Sequence, residues 1–215
     1  SLPFNVGMGA TYPVYQVSWY DAITFCNRLS TNEGFTPCYY ADPKFEMVFD
    51  SLVGRTKVYI NVYWNTAADG YRLPTEAEWE YVARGGKDGR NYAYAGSDSV
   101  DKVAVYNENN TEKGGNPVGS KMPNELGIYD LSGNEWEWVW DWHLETYYEK
   151  SPECQPIGPK WSEGKVCRGG NWRSQAVYSR VANRIGLYPG IRTYNLGFRI
   201  ARGKMVAGYC MEDGT

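Results

Sequence analysis

The sequence has a single histidine, no block of lysine or arginine, no long apolar run and an odd number of cysteines. Each shortage excludes something. With His143 alone, no metal site built from several histidines can form. A net charge of -3 without clustered basic residues leaves no phosphate-neutralising surface, so nucleic acid is set aside as a partner. No stretch approaches the roughly 20 apolar residues that span a bilayer. The opening SLPFNVGMGA has no basic region followed by an apolar one. Five cysteines (Cys26, Cys38, Cys154, Cys167, Cys210) leave at least one thiol free unless a bond forms between chains. Cys154 and Cys167 flank a Pro/Gly-rich loop, CQPIGPKWSEGKVC, and are the pair to bridge in an oxidising compartment; the alternative is that all five are small buried apolar residues.

What the chain has in quantity is aromatic surface. Its 215 residues include 19 Tyr and 9 Trp, types that combine contact area with a polar tip and are enriched at interfaces. The length allows one large domain with a real core, and 24 glycines spread throughout support many tight turns.

Two helices are legible. In SWYDAITFCNRLS, Ser18 caps with Asp21 three residues on, and Ala22, Cys26 and Leu29 line one face. In LPTEAEWEYVARGG, Thr75 and Glu78 make a capping box, Pro74 and Trp79 form a staple, and Gly85 and Gly86 stop the helix. KVYINVYWN, residues 57 to 65, alternates as a strand before an Asp69-Gly70 turn. In GNEWEWVWDW, Trp136, Trp138, Trp140 and Trp142 share one parity, and Glu135, Glu137, Val139 and Asp141 the other, which is the period of a strand. The expectation is a buried indole face and a carboxylate face turned toward loops. Any buried carboxylate there needs a partner, either an arginine such as Arg168 or a calcium ion.

PVYQVSWYDAITFCNRLS (13 to 30), GYRLPTEAEWEYVARGG (70 to 86), NELGIYDLSGNEWEWVWDW (124 to 142) and RGGNW with NLGFRIAR (168 to 172 and 195 to 202) run in order across nearly the whole chain. Together they resemble the formylglycine-generating-enzyme (sulfatase-modifying factor) domain family. The resemblance implies an α+β C-type lectin-type fold of the formylglycine-generating-enzyme subtype, a single domain over 1–215 with few regular elements and many loops. The enzymes of that family resemble copper oxidases acting through two cysteines shortly after the GG-aromatic motif. The matching positions here are Ser174 and Ser179, and a hydroxyl cannot replace a thiolate on Cu(I). Other members use non-haem iron held by histidines, which this chain lacks.

The remaining branch is non-catalytic, and within it the chain resembles the variable proteins of diversity-generating retroelements, the treponemal ones above all. In those, a C-terminal segment, here 168–202, is a hypervariable ligand-binding surface made by mutagenising adenines. An AAC or AAT codon altered at adenine never yields Lys, Glu, Gln, Met or Trp, and from Arg173 to Tyr194 only Gln175 is one of these. Ala176, Arg180 to Arg184, Pro189 and Arg192 read as a fixed frame. Arg173, Ser174, Val177, Tyr178, Ser179, Ile185, Gly186, Leu187, Tyr188, Gly190, Ile191, Thr193 and Tyr194 are the candidate variable, ligand-binding positions. The tyrosines and aliphatic residues among them would form an interaction patch if exposed together, or ordinary core if buried.

The resemblance also carries a calcium site to Ser132, Gly133, Glu135 and Glu137, a structural ion only, with no cofactor required. Neither Glu-Pro-Asn nor Gln-Pro-Asp, the triplets of calcium-dependent sugar binding, is present. The expected function is a non-enzymatic binding protein displayed outside a bacterial cell, held to the membrane only through an upstream lipid anchor, with an unidentified protein or other macromolecule as partner. Two alternatives remain: a copper oxidase of the family that uses other thiols, and an interaction module with a fixed ligand.

Overall fold

The computed structural model describes residues 9–50, 59–111 and 114–204. In chain order its helices and strands are α1 (Trp19–Asn32), β1 (Tyr39–Tyr40), β2 (Tyr63–Trp64), β3 (Tyr71–Arg72), α2 (Glu76–Ala83), α3 (Val100–Val103), β4 (Ala104–Val105), β5 (Ser132–Gly133), β6 (Trp136–Trp142), β7 (Lys165–Arg168), β8 (Arg184–Leu187), β9 (Leu196–Phe198) and β10 (Ala201–Arg202). Long irregular connections join them, and the architecture is the expected loop-rich α+β fold.

Both helices start where the sequence places their caps. The Ser18 hydroxyl accepts the Asp21 N–H, and the Asp21 carboxylate accepts the Ser18 N–H at 2.7 Å. Thr75 and Glu78 repeat the exchange at α2, and Gly85, at φ 87°, turns the chain out of that helix. The expected strand over 57–65 is shorter: only Tyr63–Trp64 pairs, with β1, and residues 57 and 58 lie outside the described residues.

The centre of the molecule is a four-stranded sheet in the order β8-β7-β6-β9, with β6 antiparallel to β7 and parallel to β9. The Trp-rich run forms β6, but both of its faces are buried, not the indole face alone. Trp136 and Trp138 join Val17, Tyr20, Ile23 and Leu196 on one side, where α1 packs. On the other side Val139 meets Trp79 and Ala83 of α2, with Val166 and Val181. A fully buried apolar side chain of this size contributes about 1.5–3 kcal/mol.

Burying the second face forces the carboxylates into specific bonds. Glu137 accepts from Nε and Nη2 of Arg199 at 2.6 Å each and from the Trp79 indole N–H at 2.6 Å, while Asp141 accepts the Glu76 N–H at 2.7 Å. Arg168, although opposite Glu137 in the β6–β7 ladder, instead pairs with Glu76 and Glu80 of α2. The Cys154–Cys167 bridge does not form: Cys167 is a buried free thiol and Cys154 is disulfide-bonded elsewhere.

Candidate functional site

The C-terminal segment leaves β7 through Gly169 and Gly170, both at positive φ. A Cβ on Gly170 would lie 2.7 Å from the Ser179 Oγ and 2.8 Å from the Tyr178 carbonyl oxygen, so the turn rests directly on the short 3-10 turn Ala176–Ser179. The Ser174 carbonyl accepts the Asn107 N–H at 3.0 Å. Ser179 is fully buried, and its hydroxyl has no partner among the described residues. The two positions that match the enzymes' cysteines are therefore one half-buried and one sealed hydroxyl.

No other described thiol takes their place. Cys26, Cys38 and Cys167 are all 0% exposed. Burial raises all three thiols above the ordinary cysteine value, Cys38 to about 11, so none is a thiolate at neutral pH.

The candidate variable positions separate into classes. Arg173, Val177, Tyr178 and Tyr194 are exposed, and an Arg173 Nη1 donates to the Tyr194 hydroxyl at 2.6 Å. Gly186, Tyr188, Gly190 and Ile191 line an open cleft of about 880 Å³ together with Tyr59, His143, Ser162, Glu163, Gly164 and Arg192. Other positions depart from the expected exposed surface. Ser179 and Gly190 are buried, and Ile185, Leu187 and Ile191 pack on the main core cluster. Gly186 is exposed, yet a Cβ there would meet the His143 ring at 2.7 Å. Ser174 and Thr193 are half-buried, and the Thr193 carbonyl accepts the Gln16 N–H.

The patch is also not one continuous surface. β8 ends at Leu187, opposite Lys165, which in turn faces Trp142, whereas β9 begins at Leu196 beside Trp136. Tyr188 and Tyr194 thus belong to opposite ends of the sheet. Periodicity along one segment cannot reveal this, because the separation is set by the ladder register.

The expected frame holds at Arg184, Arg192, Val181 and Pro189 but not at Arg180. Arg184 holds Glu76 at 2.7 and 2.6 Å, and Arg192 holds Asp21 at 2.7 and 2.9 Å. The Val181 N–H reaches the Ala93 carbonyl, and the Pro189 carbonyl accepts the Trp19 N–H. Arg180 is exposed and donates only to the nearby Val177 carbonyl.

Of the four residues expected to hold calcium, where backbone carbonyls would join one carboxylate, two have their side-chain oxygens already engaged. Both Glu137 oxygens are taken by Arg199, whose positive charge neutralises that carboxylate, and the Ser132 hydroxyl accepts the Ala95 N–H. The Glu135 carboxylate alone is open: it is 5% exposed and neither oxygen has a partner among the described residues. Burial, with the nearby Glu137, pushes its pKa up to about 9. No group of three or more His, Cys, Asp or Glu is placed to hold a metal among the described residues.

Several residues around the cleft carry no signal in the sequence. Tyr59 stacks edge-on with Tyr188 at 5.0 Å and 82° and stands 6.3 and 6.1 Å from Trp142 and Trp161. Trp161 is 60% exposed, the highest of any tryptophan among the described residues. Behind them Lys165 is buried with its Nζ 4.0, 4.6 and 4.1 Å from the rings of Trp19, Trp140 and Trp142. It donates to the Trp140 carbonyl at 2.7 Å, and burial drives its pKa well below the usual lysine value.

Residues 5–204 match the sulfatase-modifying factor enzyme 1-like domain. The chaperone protein LppX of Paenibacillus barcinonensis is 36% identical over 91% of this chain and 71% of its own. The formylglycine-generating enzyme of Streptomyces coelicolor is 40% identical over 66% of this chain, which spans 51% of that enzyme's length. Among solved structures, Treponema denticola variable protein 1 is similar with a TM-score of 0.80 and 33% identity, covering 94% of this chain and 76% of that one. CarF follows at a TM-score of 0.73 and 30% identity, over 91% and 69% of the two chains. The chain belongs to the sulfatase-modifying factor enzyme 1-like family and has its C-type lectin-type fold.

Proposed function

We propose that this chain is a non-enzymatic binding protein, displayed at the bacterial surface through an upstream lipid anchor, whose C-terminal segment presents a diversified surface to a macromolecular ligand. The observation that carries this reading is the pair Ser174 and Ser179, hydroxyls where the enzymes of the family need thiolates, with every free thiol among the described residues buried and protonated. The likeness to the Treponema variable protein supports the retroelement origin. The rigid attachment of the segment through Arg184 and Arg192 supports tolerance of substitution at Arg173, Val177, Tyr178 and Tyr194.

The relative named a chaperone favours a second reading, a module with one fixed protein partner. Sequencing the coding region from many isolates separates the two. Diversification expects differences concentrated at the exposed candidate positions and at adenine-derived codons. Uniform codons there, with variation scattered elsewhere, would leave the fixed-partner module.

A further inference from the structure

We propose that the cleft between Tyr59, Tyr188 and Glu163 binds a cationic group, a lysine or arginine side chain presented by a protein ligand. The inference rests on the binding-protein reading and specifies what one part of the site recognises.

The argument begins with charge. Besides the two tyrosine hydroxyls, the lining residues with an ionisable side chain are His143, Glu163 and Arg192. Arg192 is neutralised by its two-point pair with the buried Asp21. His143 has its pKa lowered, by burial first and by Arg184 second, and is uncharged at neutral pH. Glu163 remains, exposed and outside every ion pair among the described residues, with its backbone carbonyl fixed by the Tyr59 hydroxyl at 3.0 Å. Among the described lining residues, Glu163 therefore carries the one unneutralised charge, and it is negative.

Its walls favour the same sign of ligand. The electron-rich faces of aromatic rings attract cations. Tyr59 and Tyr188 form a corner at 82°, and Trp142 and Trp161 extend the aromatic surface behind Tyr59. The chain already seats a lysine side chain against these rings, because the Lys165 Nζ lies 4.1 Å from the Trp142 ring, and that same ring contacts Tyr59. A cavity of about 880 Å³ admits an extended side chain with part of its backbone. Tyr188 and Ile191 belong to the candidate variable segment, so the same cleft could be retuned by substitution while Tyr59 and Glu163 stay outside it.

His143 is the only histidine, so its imidazole proton resonances report this cleft without assignment ambiguity. The test titrates the intact chain with N-acetyl-lysine methylamide and with N-acetyl-norleucine methylamide, which has a similar apolar stem and no charge. The expected result is displacement of the His143 resonances by the lysine compound at about tenfold lower concentration. Glu163→Gln, a substitution at an exposed site, should remove most of that preference while the rest of the spectrum stays in place.

Equal response to both compounds would overturn the proposal in favour of an uncharged apolar anchor pocket. A response to methyl glucoside instead of lysine would overturn it in favour of a polyol site, and no response of His143 to any of them would overturn it outright. The diversification reading is judged separately by where isolates differ, so the two can fail independently.

Discussion

Arg192 and Asp21 lie 171 positions apart and meet in a two-point ion pair at 2.7 and 2.9 Å. The Asp21 carboxylate also accepts the Ser18 N–H and hydroxyl at the start of α1, so one buried carboxylate caps a helix and pins the C-terminal segment. Removing the guanidinium strands that charge. Arg192→Ala should cost about 3–5 kcal/mol of stability. Arg192→Lys, which keeps charge without the planar fork, should restore only part of it. Urea denaturation midpoints measure both, and a loss below about 1 kcal/mol would mean that the pair does not anchor the segment.

The candidate positions should divide by burial. Tyr178 and Tyr194 are 44% and 48% exposed, and alanine there should change stability by about 0.5 kcal/mol or less. Ile185 and Leu187 pack on the core cluster, and alanine at either should cost about 2 kcal/mol or more. Thermal melts of the four variants decide the matter. Equal losses across all four would remove the distinction between displayed and supporting residues.

How far the sequence reveals this follows from what is local. The capping boxes at Ser18 and Thr75 and the alternation of the Trp strand involve neighbours within a few residues, and all appear in the structure. The double burial of β6 depends on α2 packing over the carboxylate face, a tertiary event that periodicity does not encode. The same holds for the candidate site. Arg184 and Arg192 are recognisable as frame, but their carboxylates lie more than a hundred residues away, at Glu76 and Asp21. Ile185, Leu187 and Ile191 carry the same apolar signal whether they face a partner or the core. Tyr59 reaches the cleft from one loop and Glu163, with Trp161 two residues before it, from another, so no local pattern joins them.

Thiol accessibility tests the absence of oxidase chemistry directly. Cys26, Cys38 and Cys167 should remain unlabelled by a thiol reagent in the native chain and react fully after denaturation, read by peptide mass spectrometry. Fast native labelling of both Cys26 and Cys38, together with tight Cu(I) binding, would reopen the oxidase reading.

Glu135 supplies a pH signature. Its folded pKa, about 9, stands above its ordinary value of 4.5, with burial the first cause and Glu137 the second. The folded state therefore holds a proton that the unfolded state releases. The resulting contribution to stability is complete below about 4.5, declines as pH rises, and is exhausted above about 9. Glu135→Gln mimics the protonated form and escapes this loss. Relative to the native chain, the variant should gain stability steadily from pH 5 to pH 9 and no further beyond. A difference that stays flat with pH would mean that the carboxylate's pKa is not raised on folding, which a neighbouring cation would achieve. Calcium that raises the melting temperature of the native chain at pH 8, but not that of Glu135→Gln, would identify that cation and restore Glu135 as a metal donor without help from Glu137.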